Sequence, residues 1–398
     1  MSEIINTTLG EVLEIKYGKD HKKLADGIVP LYGSGGIMRY VEKAIYDKPS
    51  IMIPRKGSLN NLFYEDNPFW TVDTLFWTII NEEKVDPKYL FYLLSLHNLS
   101  KYDEGSAVPS LTTKALNDVP ISFPKSIDTQ IEVRTIIENL DQKITLLRQQ
   151  NQTLEDLAQT LFKRWFVEFE FPNENGEPYK SSGGKMEESE LGEIPEGWRI
   201  VQLKDIVEIG SSKRIFASEY LQNGIPFYRG KEVTELSNGN NLVPEIFISE
   251  QKYNELKNAS GVPKNNDILL TSVGTIGNTY LVQKDERFYF KDGNLTWFKS
   301  YKTVIDFTFI YIWLKSKYAE IALEGIKIGS TQQAITIDAL NTIEIVIPNE
   351  NNYLKLRDSL KSLIFKQQKN TNEIQTLTQL RDTLLPKLMS GEIRVVEE

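Results

Sequence analysis

Two stretches of this chain place apolar residues at alternating spacings of three and four. From Ile137 the series runs Ile137, Leu140, Ile144, Leu147, Asn151, Leu154, Ala158, Leu161 and Trp165. From Leu360 it runs Leu360, Leu363, Gln367, Asn370, Ile374, Leu377, Arg381, Leu384 and Leu388. These are the a and d positions of a heptad pattern, and they predict two long helices with narrow apolar seams. A seam of a and d alone is narrower than the stripe of a helix that packs only on a globular core, so the two seams are expected to face each other. Ordinary amphipathic helices, each packed on its own domain, remain the alternative. An antiparallel pair layers a against d and sets Asn151 against Asn370, Leu154 against Gln367 and Ile144 against Leu377. A buried Asn pair fixes register at some cost in stability. Pro386 is expected to end or kink the second helix and to leave Leu388 outside the seam. At about 1.5 Å of rise per residue each seam covers roughly 40 Å, a length that suits a spacer.

Elsewhere the apolar runs are short. Ser50 to Pro54 and Ile268 to Thr271 look like strands that feed polar or glycine-rich turns, and Tyr89 to Leu96 and Phe309 to Leu314 look helical. The expected fold class is therefore α+β, with mixed α/β lobes. The pattern is also written twice. Gly105-Ser106 recurs as Gly329-Ser330, Ala115-Leu116-Asn117 as Ala339-Leu340-Asn341, and Pro124 as Pro348, all at one offset of 224 residues (348 − 124). Each copy ends at its proline and runs into a heptad segment. The period is far longer than a solenoid repeat, so each copy is expected to have its own core, with a pseudo-two-fold internal repeat. A similar element opens each lobe, TTLGEVLEI around Leu9 and VQLKDIVEI around Leu203, at an offset of only 194 (203 − 9). The second lobe thus holds about 30 extra residues inside (224 − 194), and divergence sits within lobes whose ends match.

Composition narrows the chemistry. A chain of 398 residues with 40% hydrophobic and 25% charged residues reads as soluble, globular and of two to three domains. Its start lacks a signal-peptide pattern and no apolar run approaches about 18 residues, so a cytoplasmic location is expected. There is no cysteine, and His21 and His97 are the only histidines, so no metal site is expected. A net charge of −9 argues mildly against DNA binding unless the DNA surface is local or completed by partners. Three segments imitate known sites and fall short. GIPFYRGKE, from Gly224 to Glu232, has the wrong spacing for a phosphate loop and Glu where a metal-binding hydroxyl belongs. NPFW, from Asn67 to Trp70, lacks the second proline of an adenine methyltransferase motif, and no strand–GxG–helix cofactor site accompanies it. YGSGG, from Tyr32 to Gly36, lacks dinucleotide-loop spacing and reads as a flexible loop able to let a DNA backbone approach.

Three further motifs come in a fixed order: LFKRWFVEFE from Leu161 to Glu170, SELGEIPEGW from Ser189 to Trp198, and LRDTLLPKLMSGEIRV from Leu380 to Val395. With the duplication, they make the whole chain resemble the specificity subunit of a type I restriction-modification enzyme. The resemblance implies a first target-recognition domain at 1–127, a first spacer helix at 128–170, a second target-recognition domain at 197–350 and a second spacer helix at 351–398, and the Gly/Ser/Glu/Lys-rich composition between them reads as a flexible linker at 171–196. It implies that each domain reads one half of a bipartite site in double-stranded DNA and that the paired helices set the spacer. It also implies two docked methyltransferase subunits and restriction/translocase subunits as partners. S-adenosylmethionine, ATP and Mg would belong to those partners, and this chain would be non-catalytic. A specificity subunit of another bipartite restriction system, a self-contained methyltransferase and a coiled-coil scaffold with ligand-binding lobes are the rivals. The aromatic cluster Trp165, Phe166, Phe169 and Phe171 fits either a core or a docking patch.

Arg and Lys read guanine, Asn and Gln read adenine, and hydroxyls and glycine-exposed amides favour phosphates. The expected DNA contacts of the first lobe are Arg55, Lys56, Ser58, Asn60 and Asn61, followed by Ser106 and Ser110. Those of the second are Lys213, Arg214, Arg229, Lys231, Thr271, Ser272, Gln332 and Gln333.

Overall fold

A computed structural model of the chain describes residues 3–393. Residues 1–2 and 394–398 lie outside the described residues, and with them the Arg394-Val395 end of the C-terminal motif. The chain divides into two compact units, Met1–Thr145 with Thr376–Glu398, and Leu146–Gln375.

The first unit is built on a four-stranded antiparallel sheet in the order Leu13–Tyr17, Leu75–Ile80, Ser50–Pro54, Phe63–Glu65. Every residue of Ser50–Pro54 is buried. Its one polar side chain is satisfied there: the Ser50 hydroxyl donates to the Thr78 carbonyl at 2.8 Å and accepts the Thr78 amide at 2.9 Å. A three-stranded sheet follows, with Asp26–Gly33 between Gly36–Val41 and Trp70–Thr71. Ile4–Thr8 pairs with Pro120–Pro124, which brings the two ends of the lobe together. Helix Pro87–Ser95 opens two residues before the helical run expected from Tyr89: Asp86 accepts the Tyr89 amide at 2.8 Å and proline occupies the first turn.

The second unit repeats this plan. Val207–Gly210, Leu295–Tyr301, Ile268–Thr271 and Thr279–Leu281 form the four-stranded sheet in the same order, and Arg199–Gln202 pairs with Glu344–Ile347 at the lobe's closure. The parallel register is also the same. Leu31 and Tyr32 lie opposite Trp70 and Thr71, and Phe227 and Tyr228 opposite Tyr289 and Phe290. The lobes part directly after that strand. The first makes the tight hairpin Gly33–Gly36, a closed turn where a flexible loop was expected. The second inserts helices Gly230–Ser237 and Glu250–Ala259 around a short strand, Phe247–Ile248, which accounts for the extra residues.

The heptad segments are single helices, Ile127–Phe166 and Glu350–Met389. Pro386 does not end the second one. It sits in the last turn, where the helix forfeits one donor close to its end, and Leu388 is buried at 4% exposure in the first unit's core with Leu385 and Met389. All the apolar seam positions are buried or half-buried, but the helices also bury residues outside the seam. Val133 enters the first core, and Phe162, Phe166, Tyr353, Leu356 and Ile364 enter the second. Packing on the lobes therefore widens the apolar face beyond a and d.

Residues 171–196 are folded rather than a flexible linker. Met186–Glu187 pairs with Ile194–Pro195, and Phe171 stacks between Tyr179 at 4.6 Å and Trp198 at 5.0 Å, ring centre to ring centre. Trp165, Phe166, Phe169 and Phe171 are all less than a tenth exposed and belong to the core. Fully burying such rings contributes about 1.5–3 kcal/mol each, which outweighs the disorder favoured by the neighbouring glycines and lysines.

Candidate nucleic-acid interface

Most of the charged and amide-bearing loop residues singled out from the first lobe come together. Arg55 follows the buried strand Ser50–Pro54, and the Leu111 amide donates to its carbonyl at 2.9 Å. Lys56 pairs with Ser110 as an isolated bridge, and the Gly57 amide donates to the Pro109 carbonyl at 3.0 Å. The loops 55–61 and 103–111 thus form one surface bearing Arg55, Lys56, Ser58, Ser106 and Ser110. Asp103 shapes the second loop by accepting the Gly105 amide at 2.8 Å and the Ser110 amide at 2.7 Å, and those two amides hold its carboxyl below the usual range. Beside Arg55, a groove of about 580 Å³ is lined by His21, the hairpin residues 33–38 and residues 72–74. Ile37 and Met38 are about half exposed on its rim.

Two of the expected contacts are occupied within the protein. The Asn60 amide donates to Asn98 Oδ1 and Ser100 Oγ, each at 3.2 Å, and the Asn61 amide to the Ser34 carbonyl at 2.9 Å. Asn61 thereby braces the tip of the hairpin.

In the second lobe more of the expected contacts are buried or engaged within the protein. Thr271 and Ser272 are 1% and 2% exposed, because Thr271 ends a strand buried on both faces and Ser272 directly follows it. The Thr271 hydroxyl accepts the Asn278 amide at 3.0 Å. Arg229 binds the buried Glu232 through two nitrogens and Glu245 at 2.9 Å, so its guanidinium is engaged internally. Hydrogen bonding from Lys231 and Arg229 holds the Glu245 carboxyl low, with Lys231 at 2.7 Å. Lys213 is exposed, and its amide donates to the Tyr289 hydroxyl at 2.8 Å; Arg214 pairs with Asp292 at 3.0 Å. Gln332 and Gln333 are exposed on loop 326–335. That loop is tied to the end of strand Ile268–Thr271 by Ile335 N to Ser272 O at 2.8 Å and Gly274 N to Gln333 O at 3.1 Å.

Thr275 is hidden from a comparison of the repeats in sequence. It follows Gly274 as Ser58 follows Gly57, but the offset there is 217 (274 − 57), and a comparison at 224 passes it by. The imitation motifs are structural: Phe69 and Trp70 are buried, Asn67 donates to Glu65 and Asp66, and Glu232 is the Arg229 partner. The His97 ring nitrogens lie 3.0 Å from the Leu93 carbonyl and 3.2 Å from the Pro120 carbonyl, so the ring is turned onto the protein's own backbone. Among the described residues no group of three or more His, Cys, Asp or Glu is placed to hold a metal ion, and no helix is long and apolar enough to cross a membrane.

Along the helices of the second unit a polar layer interrupts the seam. Asn370 Nδ2 donates to Asn151 Oδ1 at 2.9 Å and to Gln150 Oε1 at 2.8 Å, and Gln367 Nε2 donates to the Asn151 carbonyl at 3.1 Å. Asn151 Nδ2 in turn donates to Thr371 Oγ1 at 3.1 Å. At the edge of this layer Glu155 pairs with Lys315.

The family described as type I restriction modification DNA specificity domain matches residues 1–156 and 195–384. The MjaIX type I restriction enzyme specificity subunit of Methanocaldococcus jannaschii is 27% identical over 382 residues, 92% of this chain and 84% of the relative. A putative type I restriction enzyme specificity subunit of Haemophilus influenzae is also 27% identical, covering 87% of this chain and 82% of its own length. In fold, the chain resembles the crystal structure of a type I restriction-modification S subunit from M. genitalium, with a TM-score of 0.65 at 16% identity, covering 98% of this chain and 96% of that one.

Proposed function

This chain belongs to the type I restriction-modification DNA specificity family, with the family's domain at 1–156 and again at 195–384, and from that premise we propose that each lobe reads one half of a bipartite DNA target. The observation that carries this division is the duplicated plan with divergent interiors. Both lobes have the same strand orders and the same loop joints, yet they differ where a hairpin in one is two helices in the other. Two readers of different sequences on one scaffold need that combination. Lys56 in the first lobe and Lys213, Gln332 and Gln333 in the second are exposed and suited to base edges or phosphates.

The two 40-residue helices set the unspecified spacer as an antiparallel coiled coil and dock the methyltransferase subunits. Two features support this. The helix contacts run in opposite senses within the second unit, from Asn151 with Asn370 to Glu155 with Gln367. Leu146, Leu157 and Phe365 stay 59%, 44% and 43% exposed on the helices, which leaves apolar surface for a partner. Methyl transfer from S-adenosylmethionine and ATP- and Mg-dependent translocation belong to the modification and restriction subunits, and this chain is their non-catalytic guide.

The test is an exchange. Replacing residues 1–127 with the corresponding lobe of a relative, in the complex with its modification subunits, should change one half of the methylated sequence and leave the other half intact. A change in both halves, or methylation by this chain alone, refutes the assignment.

A further inference from the structure

One joint is the same in both lobes although their interiors diverge. In the first lobe, loops 55–61 and 103–111 are joined by Leu111 N to Arg55 O and Gly57 N to Pro109 O, and Arg55 N donates to Thr74 O at 2.9 Å. In the second, the equivalent bonds are Ile335 N to Ser272 O, Gly274 N to Gln333 O and Ser272 N to Asn294 O at 2.9 Å. Each joined loop carries a glycine followed by a hydroxyl residue: Gly57-Ser58 with Gly105-Ser106, and Gly274-Thr275 with Gly329-Ser330.

The glycines are of two kinds by their surroundings, and these match between lobes, although Gly329 has φ of +90° and Gly105 does not lie in the left-handed region. Gly57 and Gly274 have φ of +87° and +76°, and a Cβ on either would meet nothing within 4 Å, so their backbone is open to solvent. Gly105 and Gly329 sit against a carbonyl three residues on, where a Cβ would lie 2.1 Å from Val108 O and 2.6 Å from Gln332 O. That close turn leaves the amides of residues 106–108 and 330–332 without a protein acceptor among the described residues. Ser58, Ser106, Thr275 and Ser330 are all exposed, and their hydroxyls make no hydrogen bond to the protein among the described residues.

Features that differ between the lobes can distinguish one sequence from another, whereas features common to both cannot. Open amides beside unengaged hydroxyls are the groups that hold phosphate oxygens. Resting on the assignment of the chain as a DNA reader, we propose that in each lobe the paired Gly-Ser/Thr loops grip the DNA phosphodiester backbone without regard to sequence. Lys56, which has no ion pair among the described residues, adds a cation to the first grip; Val273 stands in its place in the second. The grips fix the register in which the divergent neighbours read bases.

The test uses the complex with its modification subunits and duplexes with and without the methylated motif, titrated over a range of salt in phosphate-free buffer. Ser58→Asp with Ser106→Asp in one lobe, and Thr275→Asp with Ser330→Asp in the other, should each weaken binding on the order of tenfold, equally for both duplexes, and leave the methylated motif unchanged. Lys56→Gln should lower the salt slope by about 0.9. Ser106→Lys and Ser330→Lys should tighten binding to both duplexes, a gain that misfolding does not produce. Unchanged affinity, a changed motif, or weakening by lysine as by aspartate overturns the proposal. A wild-type complex that fails to prefer its own motif overturns the DNA-reading assignment instead.

Discussion

Asn370 provides a quantitative test of the helix pairing. Its side chain is fully buried, donates to Asn151 Oδ1 and Gln150 Oε1, and leaves its own Oδ1 buried without a partner. Asn370→Leu removes two hydrogen bonds, each contributing about 1 kcal/mol net, and also removes the unsatisfied oxygen, which costs about 1–3 kcal/mol. The stranded acceptors recover water, because Gln150 is exposed and Asn151 half-buried. Burying a leucine adds about 1.5–3 kcal/mol. The balance is a gain of about 2 kcal/mol, in line with the general behaviour of buried polar pairs replaced by apolar ones. Asn370→Ala makes the same exchange without the apolar gain and leaves a small void, so it should lose about 1 kcal/mol. For a unit of this size, 1 kcal/mol moves Tm by about 2–4 °C. The leucine variant should therefore melt roughly 4–8 °C higher and the alanine variant roughly 2–4 °C lower. Fluorescence of Trp165, Trp198, Trp297 and Trp313 reports on the unit that contains Asn370. A leucine variant that melts at or below the alanine variant would show that the layer is held by its hydrogen bonds, and the reasoning would fail.

Arg229→Ala should destabilise the second unit by about 3–5 kcal/mol, because Glu232, 2% exposed, keeps its charge without its partner; denaturant unfolding measures this, and Arg229→Ala with Glu232→Gln should recover part of the loss. Burial alone would raise the Glu155 carboxyl, but the Lys315 ammonium and its hydrogen bonds bring it below the usual range. The pair thus contributes stability that is present above the unfolded carboxyl's pKa of about 4.3 and lost as pH falls through the lower folded value. Glu155→Gln should flatten the acid limb of the stability profile, and an unchanged limb refutes the pairing. Removing one heptad from each long helix shortens it by about 10 Å, and an active variant should methylate half-sites about three base pairs closer together; methylation at the original spacing contradicts the spacer role.

What was legible in the sequence depended on how local the cause was. Heptad spacing, the helical run from Tyr89 and the buried strand Ser50–Pro54 follow from neighbours in the chain, and each appears within a residue or two of where local pattern places it. The duplication was legible too, because identical residues at one offset need no folding to be seen. The candidate interface was legible only as loops. Arg229 looks like an available cation until the fold brings Glu245 from sixteen residues away and buries Glu232 beneath it. Thr271 and Ser272 look like polar loop residues until the strand that ends at Thr271 is covered on both faces. The linker failed for the converse reason: its composition is that of a tether, but Phe171 finds Tyr179 on one face and Trp198 on the other only in three dimensions.

Two kinds of polar residue therefore look alike in sequence. Arg229, Asn60 and Asn61 spend their hydrogen-bonding capacity on the lobe itself, Arg229 at the start of the inserted helix Gly230–Ser237, Asn60 on Asn98 and Ser100, and Asn61 on the hairpin tip. Ser58, Ser106, Thr275 and Ser330 leave theirs unspent, and they lie where the lobes agree. Because an exposed hydroxyl in a loop contributes little to folding, its recurrence at matched places in two otherwise divergent lobes needs a cause outside the fold, and the sugar-phosphate backbone is the feature that two different half-sites share.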